Sequence, residues 1–332
     1  MSNPKVTVLL PAYNCAAHIG GAIESILSQT FSDFEFLIIN DGSTDTTAAE
    51  IKKFHDPRIV YVENPGNKGL IFTLNRGLEI AKGKYLVRMD ADDISLPERI
   101  AKQIAYLEAN PEVGICGCWS VTFGPNIKPW ETKYPENHEA IKVRMTFNTT
   151  LSHPTVVLNR ELLAHFDLKY DPEFEHIEDY DLWERSLDKV KLANYPEVLF
   201  KYRVHDEQIS SKFSARQAVV ANEIRMRLLA KAGIVATPAE TLLHKAICSY
   251  QFADTDKFIT EVAAWFGKIY LANLKSHYFE QKELKHFYCS LWNEILSSSK
   301  KYSKAAILRA YLGSAMLRGW DKKRYLKLLF SK

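Results

Sequence analysis

Residues 85–93 read Tyr-Leu-Val-Arg-Met-Asp-Ala-Asp-Asp, an apolar run followed at once by three carboxylates in four positions. The apolar residues Tyr85–Val87 predict a buried strand, so the carboxylates lie where that strand ends at the edge of a sheet. Carboxylate oxygens at such an edge can hold a hard divalent cation together with the phosphates of a substrate. The stretch therefore points to a nucleotide diphosphate. Taken alone, Asp90–Asp93 is also typical of a solvated turn that ends in a helix cap.

Strand-like and helix-like patterns alternate on either side of this stretch. Four short apolar runs predict strands at Val6–Leu10, Phe34–Ile39, Ile59–Val62 and Tyr85–Val87. Between them, helices are predicted over Ala16–Leu27, after Asp45 with Ser43 or Thr44 as cap, and over Gly69–Ala81. This β-α-β-α-β-α-β order favours an α/β fold with a parallel sheet covered on both faces.

The rest of the chain changes character toward its end. Further strands are predicted at Val113–Cys116 and Thr155–Leu158, with a loop over Gly124–Pro135 because that segment holds three prolines. From about Ser214 the pattern is helical and poor in glycine. These changes predict an α/β domain over residues 1–213 and a helical region over residues 214–332.

Composition limits the class of protein. The chain has 332 residues, 46% of them hydrophobic, and a net charge of +3, which suits a globular protein. Residues 295–332 hold ten Lys or Arg and one acid, so they predict a basic amphipathic tail that contacts a membrane surface or packs on the domain. Five cysteines without a Cys-x-x-Cys pair, and no leader after Met1, predict reduced thiols and a cytoplasmic protein. No apolar window approaches about 18 residues, so we expect no transmembrane helix.

Polar clusters follow three of the predicted strands, at Pro11–Asn14, Asp41–Ser43 and Asp90–Asp93. Because ligands collect beyond the carboxyl ends of parallel strands, one pocket is expected to contain all three clusters. The Gly-x-Gly-x-x-Gly fingerprint and the Walker phosphate loop are absent, which disfavours a nicotinamide enzyme and a P-loop ATPase.

In these motifs the sequence resembles the inverting glycosyltransferases of family 2, which have the nucleotide-binding GT-A fold. The resemblance spans residues 5 to about 210 and rests on an ordered series of motifs: Thr7–Asn14, Asn40–Asp45, Asn67–Gly69 with Asn75, Ala81–Tyr85, Met89–Asp93, Ser152–Thr155, Glu178–Trp183 and Tyr202–His205. It implies a mostly parallel sheet with helices on both faces, followed by a helical C-terminal region.

The resemblance also implies roles for individual residues. Asp41 would accept a hydrogen bond from a uracil-type N–H, and Asp92 would ligate Mn²⁺ or Mg²⁺. Asp179 would be the base that takes the acceptor proton, with Glu178 as the second candidate. The remaining nucleotide-binding positions would be Pro11, Ala12, Tyr13, Asn14, Asn67, Gly69, Asp90 and Ala91. His205 would add a metal contact, and His153 a contact to the diphosphate or the acceptor.

The expected partners are a nucleotide sugar, with UDP as the nucleotide, and a glycan or lipid-linked glycan acceptor in polysaccharide or lipopolysaccharide assembly. No nucleic acid is expected, because no motif that reads bases accompanies the basic tail. Peripheral contact with the inner face of the cytoplasmic membrane stays open. The alternatives are a non-catalytic adaptor with this fold and a nucleotidyltransferase, although the latter would need a Gly-rich phosphate loop after the first strand. A glycoside hydrolase has no use for a metal and nucleotide pocket.

Overall fold

A computed structural model describes residues 3–205, 214–298 and 301–318 of the chain. It divides into two compact units, Met1–Ile141 with Thr149–Ala218 and Lys142–Asn148 with Val219–Lys332. The domain boundary predicted between residues 213 and 214 stays a prediction.

The first unit confirms the alternating α/β series. Its strands are β1 Val6–Ala12, β2 Phe34–Asn40, β3 Ile59–Glu63, β4 Tyr85–Arg88, β5 Ile94–Ser95, β6 Val113–Phe123, β7 Trp130–Thr132, β8 Val157–Asn159 and β9 Lys191–Arg203. Its helices are α1 Ile19–Leu27, α2 Thr47–Ile51, α3 Leu70–Ile80, α4 Arg99–Ala109, α5 His138–Arg144, which runs into the second unit, α6 Arg160–His165 and α7 Glu178–Ser186. Short 3₁₀ helices form at His153–Thr155 and Pro172–Phe174.

The described strands form one mixed sheet in the order β3-β2-β1-β4-β8-β6-β9-β5, with β7 paired to β6. β1 pairs in parallel with β2 and β4, and β2 in parallel with β3. β8 is antiparallel to both β4 and β6, so β6 runs in the direction of β4, and β9 is parallel to β6. The carboxyl ends of β1, β2, β4, β6 and β9 therefore meet at one edge of the sheet, which we call the carboxyl edge.

Helices cover both faces of this sheet, which explains why β1 is mostly apolar. All seven residues of β1 are buried. Val8 packs in a cluster with Ile23 of α1 and Ile104 of α4, whereas its neighbour Leu9 points to the other face. There a Cβ on Gly77 of α3 would lie 2.4 Å from the Leu9 side chain, so the absence of a side chain at Gly77 lets this helix pack closely on β1.

Three local predictions were incomplete or wrong. The strand β9 was not predicted, because its register against β6 shifts near Trp119 and its sequence is interrupted by Pro196. β7 lies inside the segment predicted as a loop. Neither Ser43 nor Thr44 caps α2; that helix begins at Thr47, whose N–H donates to Asp45 Oδ1 at 2.9 Å.

The second unit is helical in its described residues, as predicted. Its helices are α8 Ser214–Lys231, α9 Pro238–Cys248, α10 Asp256–Ser276, α11 Gln281–Ser298 and α12 Lys304–Gly313. A buried chain of hydrogen bonds joins Trp265 Nε1 to His244 Nδ1 at 3.1 Å and His244 Nε2 to the Thr146 carbonyl at 2.7 Å. Among the residues described, no helix has the length and apolar character needed to cross a membrane. The predicted basic tail falls partly at residues 299–300 and 319–332, which lie outside the described residues.

Candidate active site

The loops after β1 and β2 are joined by short polar contacts at the carboxyl edge. Asn14 takes a left-handed backbone conformation with φ of 47°, and its N–H donates to Ser43 Oγ at 3.0 Å. The Thr44 N–H donates back to Asn14 Oδ1 at 2.8 Å, and Ser43 Oγ donates to Asn40 Oδ1 at 2.6 Å. Two of the predicted polar clusters therefore form one surface.

Asp41 organises the next part of this surface. Its carboxylate is 4% exposed and accepts at Oδ1 from Asn64 Nδ2 at 2.6 Å and from the Lys68 N–H at 3.0 Å. Its Oδ2 accepts from the Gly69 N–H at 2.9 Å. A carboxylate oxygen can accept two hydrogen bonds, so Oδ2 retains room for one more donor.

The close approach of the loops after β2 and β3 requires glycine after Asp41. Gly42 has φ of +68°, and a Cβ there would lie 2.4 Å from the Gly66 backbone. Of the other predicted nucleotide-binding residues, Pro11 and Ala12 are buried at the end of β1, whereas Tyr13 is 46% exposed and Asn67 is exposed. Pro11 and Ala12 are therefore held within the sheet, whereas Tyr13 and Asn67 are accessible to solvent.

The acidic turn after β4 brings three carboxylates together, since ligand atoms of Asp90, Asp92 and Asp93 lie within 4.8 Å of one another. Asp92 Oδ2 lies 3.0 Å from His205 Nε2, which places two predicted metal-binding residues in contact. Asp93 is fully buried; its Oδ1 accepts the Arg203 N–H at 2.6 Å, and its Oδ2 has no hydrogen-bond partner among the residues that the structure describes. Burial and the neighbouring carboxylate of Asp90 hold the pKa of Asp93 well above its usual range.

These residues fit a hard cation. The turn offers several carboxylate oxygens, and His205 beside it adds an imidazole nitrogen. Divalent ions such as Mg²⁺ and Mn²⁺ take oxygen-rich donor sets of this kind. The partnerless buried Asp93 Oδ2 and the mutual repulsion of the carboxylates would both be relieved by a nearby positive charge. The acidic triad can therefore hold a metal ion.

Arg88 is a central residue that the sequence reasoning did not single out. It is 2% exposed and holds Asp90 with two contacts of 2.6 Å and 2.5 Å to its two carboxylate oxygens. Its positive charge also favours the ionised forms of Glu178 and Asp179, which partly offsets the rise in their pKa values that burial causes. The available signal was an arginine placed directly after a buried apolar strand, since buried cations need partners.

A second acidic pair stands at the start of α7. Glu178 is 5% exposed, and burial and the charge of Asp179 raise its pKa to about 7. Asp179 is partly exposed, and the loss of hydration raises its pKa to about 6. A carboxylate whose pKa lies near neutrality is suited to accept a proton at physiological pH.

His153 supports this pair from the loop before β8. Its Nδ1 lies 3.6 Å from Glu178 Oε1, and its Nε2 lies 2.9 Å from the Tyr170 hydroxyl. Tyr170 is fixed in turn, because its backbone N–H and carbonyl both bond the Asn75 side chain, at 3.1 Å and 2.8 Å. Burial, with a further contribution from the Arg88 charge, holds the pKa of His153 well below its usual range, so its ring is neutral at pH 7.

The predicted residues thus lie along the carboxyl edge in two groups linked by Arg88. The acidic turn also lies near the loop after β1. His205, which contacts Asp92, has its ring 5.2 Å from the ring of His18, just before α1. Which residue binds the nucleotide, the metal or the acceptor stays a prediction.

Comparisons with known proteins fit this arrangement. Residues 7–166 match the family described as glycosyl transferase family 2. An uncharacterized glycosyltransferase of Haemophilus influenzae is 35% identical over 233 residues, which cover 67% of this chain and 72% of that protein. The Escherichia coli protein WfaP, a UDP-Glc:alpha-D-GlcNAc-diphosphoundecaprenol beta-1,3-glucosyltransferase, is 28% identical over 249 residues, covering 75% of this chain and 92% of its own.

Solved structures show the same fold. The crystal structure of S. aureus TarS 1-349 in complex with UDP-GlcNAc aligns with a TM-score of 0.59 at 17% identity, covering 89% of this chain and 92% of that one. This likeness confirms the GT-A fold expected from the sequence.

Proposed function

Because the chain belongs to glycosyl transferase family 2, we propose that it transfers a sugar from a UDP-linked donor to an acceptor hydroxyl, with inversion at the anomeric carbon and with the help of a divalent cation. One observation carries the proposal. A metal-fitting acidic triad and a pair of carboxylates with raised pKa values line the same sheet edge, and the buried Arg88 charge acts on both.

Asp41 and the loops around it form the proposed nucleotide pocket. Pro11, Ala12 and Tyr13 would flank the base, and the remaining acceptor position of Asp41 Oδ2 suits the N–H of a uracil ring. The pocket is built before the ligand arrives, because Asp41 already holds the backbone of Lys68 and Gly69. Asn14, Asn67, Gly69, Asp90 and Ala91 would complete its wall.

Asp92 and His205 would hold the cation, with Asp90 kept in place by Arg88. Bound Mn²⁺ or Mg²⁺ would supply positive charge to the diphosphate as it departs. Asp92 and His205 are both partly exposed, with 26% and 22% of their side chains accessible, so a diphosphate can reach them.

Asp179 is the proposed general base. A sugar hydroxyl is a weak nucleophile, so its proton must leave as the oxygen attacks the anomeric carbon, and a positioned base typically contributes about 10²–10⁴-fold. With a pKa of about 6, Asp179 is largely ionised at pH 7 yet more basic than an ordinary aspartate. Direct attack from the face opposite the leaving group inverts the anomeric centre and needs no covalent sugar-enzyme intermediate.

Glu178 and His153 would act beside the base. Glu178 exchanges protons near neutral pH and lies 3.6 Å from the neutral imidazole of His153. Both are placed to hydrogen-bond hydroxyl or phosphate groups of the substrates, and Glu178 remains the second candidate for the base.

The acceptor is proposed to be a glycan on a lipid carrier, in assembly of a surface polysaccharide such as lipopolysaccharide. The name of WfaP describes such an acceptor and a UDP-Glc donor, which supports the choice. We assign donor and acceptor sites to residues 1–213, and propose that residues 214–332 assist at the inner face of the cytoplasmic membrane through the basic tail.

A UDP-release assay tests the reaction. The protein is incubated with UDP-glucose or UDP-N-acetylglucosamine and a lipid-diphosphate N-acetylglucosamine acceptor, with Mn²⁺, with Mg²⁺ or with EDTA. We expect acceptor-dependent UDP release that EDTA abolishes, and NMR of the product should show the anomeric configuration opposite to that of the donor. Retained configuration would contradict the mechanism. Binding of UDP without turnover of any sugar would favour the non-catalytic adaptor, and pyrophosphate release from UTP and a sugar phosphate would favour a nucleotidyltransferase.

A further inference from the structure

The hairpin of β6 and β7 projects from the carboxyl edge at a defined place. β6 pairs with β8 through Ile115 and Cys116, and with β7 through Ser120–Thr122. Both partners lie on the same side of β6, because β9 fills the other side along its length. β8 runs antiparallel to β6, so the residues before β8, including the 3₁₀ helix His153–Thr155, lie between β8 and β7 along that side. β7 therefore extends past this helix, outward from the edge.

The hairpin is bordered by two segments of the candidate active site. On one side the Val204 N–H donates to the Phe123 carbonyl at 2.8 Å, one residue before His205. On the other side the Cys118 N–H donates to Thr155 Oγ1 at 3.4 Å, two residues after His153. Its position between these segments makes the hairpin a wall of the proposed substrate cleft.

This wall is held firmly at its base. Trp119 Nε1 donates to the Tyr134 carbonyl at 2.9 Å, and the Lys133 ammonium lies 5.2 Å from the centre of the Trp119 ring. Asn194 of β9 donates through Nδ2 to the Pro135 carbonyl at 2.8 Å. β7 is thus fixed just beyond its C-terminal end, and it pairs with β6 from Trp130 to Thr132.

Trp130 is the first residue of β7 and is 50% exposed. Trp183, Trp265 and Trp292 are at most 1% exposed, and Trp119 is partly buried. Of the tryptophans that the structure describes, Trp130 alone offers half of its surface to solvent. Aromatic side chains are enriched at sites where one apolar face meets a partly polar ligand, and an indole exposed on a paired strand offers such a face.

We propose that Trp130 is the platform on which the acceptor sugar stacks, a role that rests on the proposed glycosyl transfer and assigns the acceptor to the side of the cleft near His153. One face of a pyranose ring presents C–H groups, which pack on the electron-rich face of an indole while the hydroxyls remain free. Stacking of this kind fixes the plane of the ring and so directs one hydroxyl toward the base.

The test separates acceptor binding from donor binding. Trp130→Ala and Trp130→Phe are compared with Ile80→Ala, which removes a 41% exposed side chain at the end of α3, at the opposite edge of the sheet. For Trp130→Ala we expect the KM of a lipid-diphosphate N-acetylglucosamine acceptor to rise roughly fivefold to tenfold, as befits the loss of one aromatic contact. The KM of the UDP-sugar and the thermal shift given by UDP with Mn²⁺ should stay unchanged, and Trp130→Phe should recover part of the loss.

A binding experiment covers the case of slow turnover. The indole N–H signal that disappears in Trp130→Phe is followed in the ¹⁵N-labelled protein during titration with octyl glycosides of glucose, galactose and N-acetylglucosamine. A shift of this signal, absent with octanol, supports the platform even if UDP fails to bind and the proposed transfer is wrong. No shift with any glycoside, a shift only with anionic lipid vesicles, or an unchanged acceptor KM in Trp130→Ala would overturn it.

Discussion

Glu178→Gln is expected to make the protein more stable at neutral and alkaline pH while it damages the candidate active site. The folded protein holds this carboxyl with a pKa of about 7, against 4.5 for an unburied glutamate. At pH values above 7 the side chain is ionised in both the folded and the unfolded chain, so the folded state bears the full cost of the buried charge. One pKa unit is about 1.4 kcal/mol, so the difference amounts to about 3 kcal/mol.

The sign of the pH dependence follows from the raised pKa. Well below pH 4.5 both states are protonated, and the neutral amide of the variant should give no advantage. Between about pH 4.5 and pH 7 the wild type loses stability that the variant keeps, and above pH 7 the gap is complete. The free energy of unfolding of wild type and Glu178→Gln is measured by urea titration at several pH values across this range, with tryptophan fluorescence as the signal.

Glu173→Gln is the matched control, because Glu173 is exposed in the short helix just before α7 and such surface changes are usually within about 0.5 kcal/mol. If Glu178→Gln gave the same free energy of unfolding as wild type at pH 8, or an advantage that grew as the pH fell, the view that Glu178 is a buried, charge-penalised carboxyl would be refuted.

Three further predictions concern the proposed reaction. Asp92→Ala should remove both turnover and the thermal shift given by Mn²⁺, while Asp33→Ala, an exposed aspartate before β2 at the opposite edge, should leave both intact; a Mn²⁺ shift that survives in Asp92→Ala would place the metal elsewhere. Asp179→Asn should lower kcat by about 10²–10⁴-fold with the Kd for UDP unchanged. In the wild type kcat should rise with pH around the pKa of about 6, because the base must be ionised. If kcat of Asp179→Asn rose with pH in the same way, Asp179 would not be the base. Asp41→Asn should weaken UDP binding in calorimetry by roughly ten- to a hundredfold, the loss of a hydrogen bond to a charged group, and an unchanged Kd would exclude Asp41 from the uracil contact.

The sequence predicted the first four strands because each is a short apolar run, and the helices between them because their apolar residues recur at helical spacing. β1 and β4 are short, mainly apolar strands that are buried on both faces, a signal that needs no knowledge of neighbours. β9 was not predicted because its sequence lacks such a regular pattern. Its residues alternate between buried and exposed only in parts, and its pairing with β6 is interrupted by register shifts that a partner strand determines.

The residues of the candidate site that belong to short motifs could be predicted from the sequence. Those whose role depends on tertiary packing could not. Asp90–Asp93 and Glu178–Asp179 could be selected from the sequence, since their residue types limit what they can do. Nothing in the sequence placed Arg88 beside both groups, because that contact depends on how β4 and α7 meet in space. The same holds for Trp130, which lies in a segment whose prolines predicted a loop.

Arg203 fastens the acidic turn from far along the chain, through its N–H to Asp93 and its Nε to the Asp92 carbonyl at 2.7 Å, across 110 and 111 positions. A ribosome therefore releases the Asp90–Asp93 sequence long before it makes the strand that shapes it. Until β9 has been synthesised and has paired with β6 and β5, the nascent chain contains the Asp90–Asp93 sequence but lacks the two contacts from Arg203. The geometry of the acidic turn therefore depends on the last described strand of the sheet, and not on its own sequence alone.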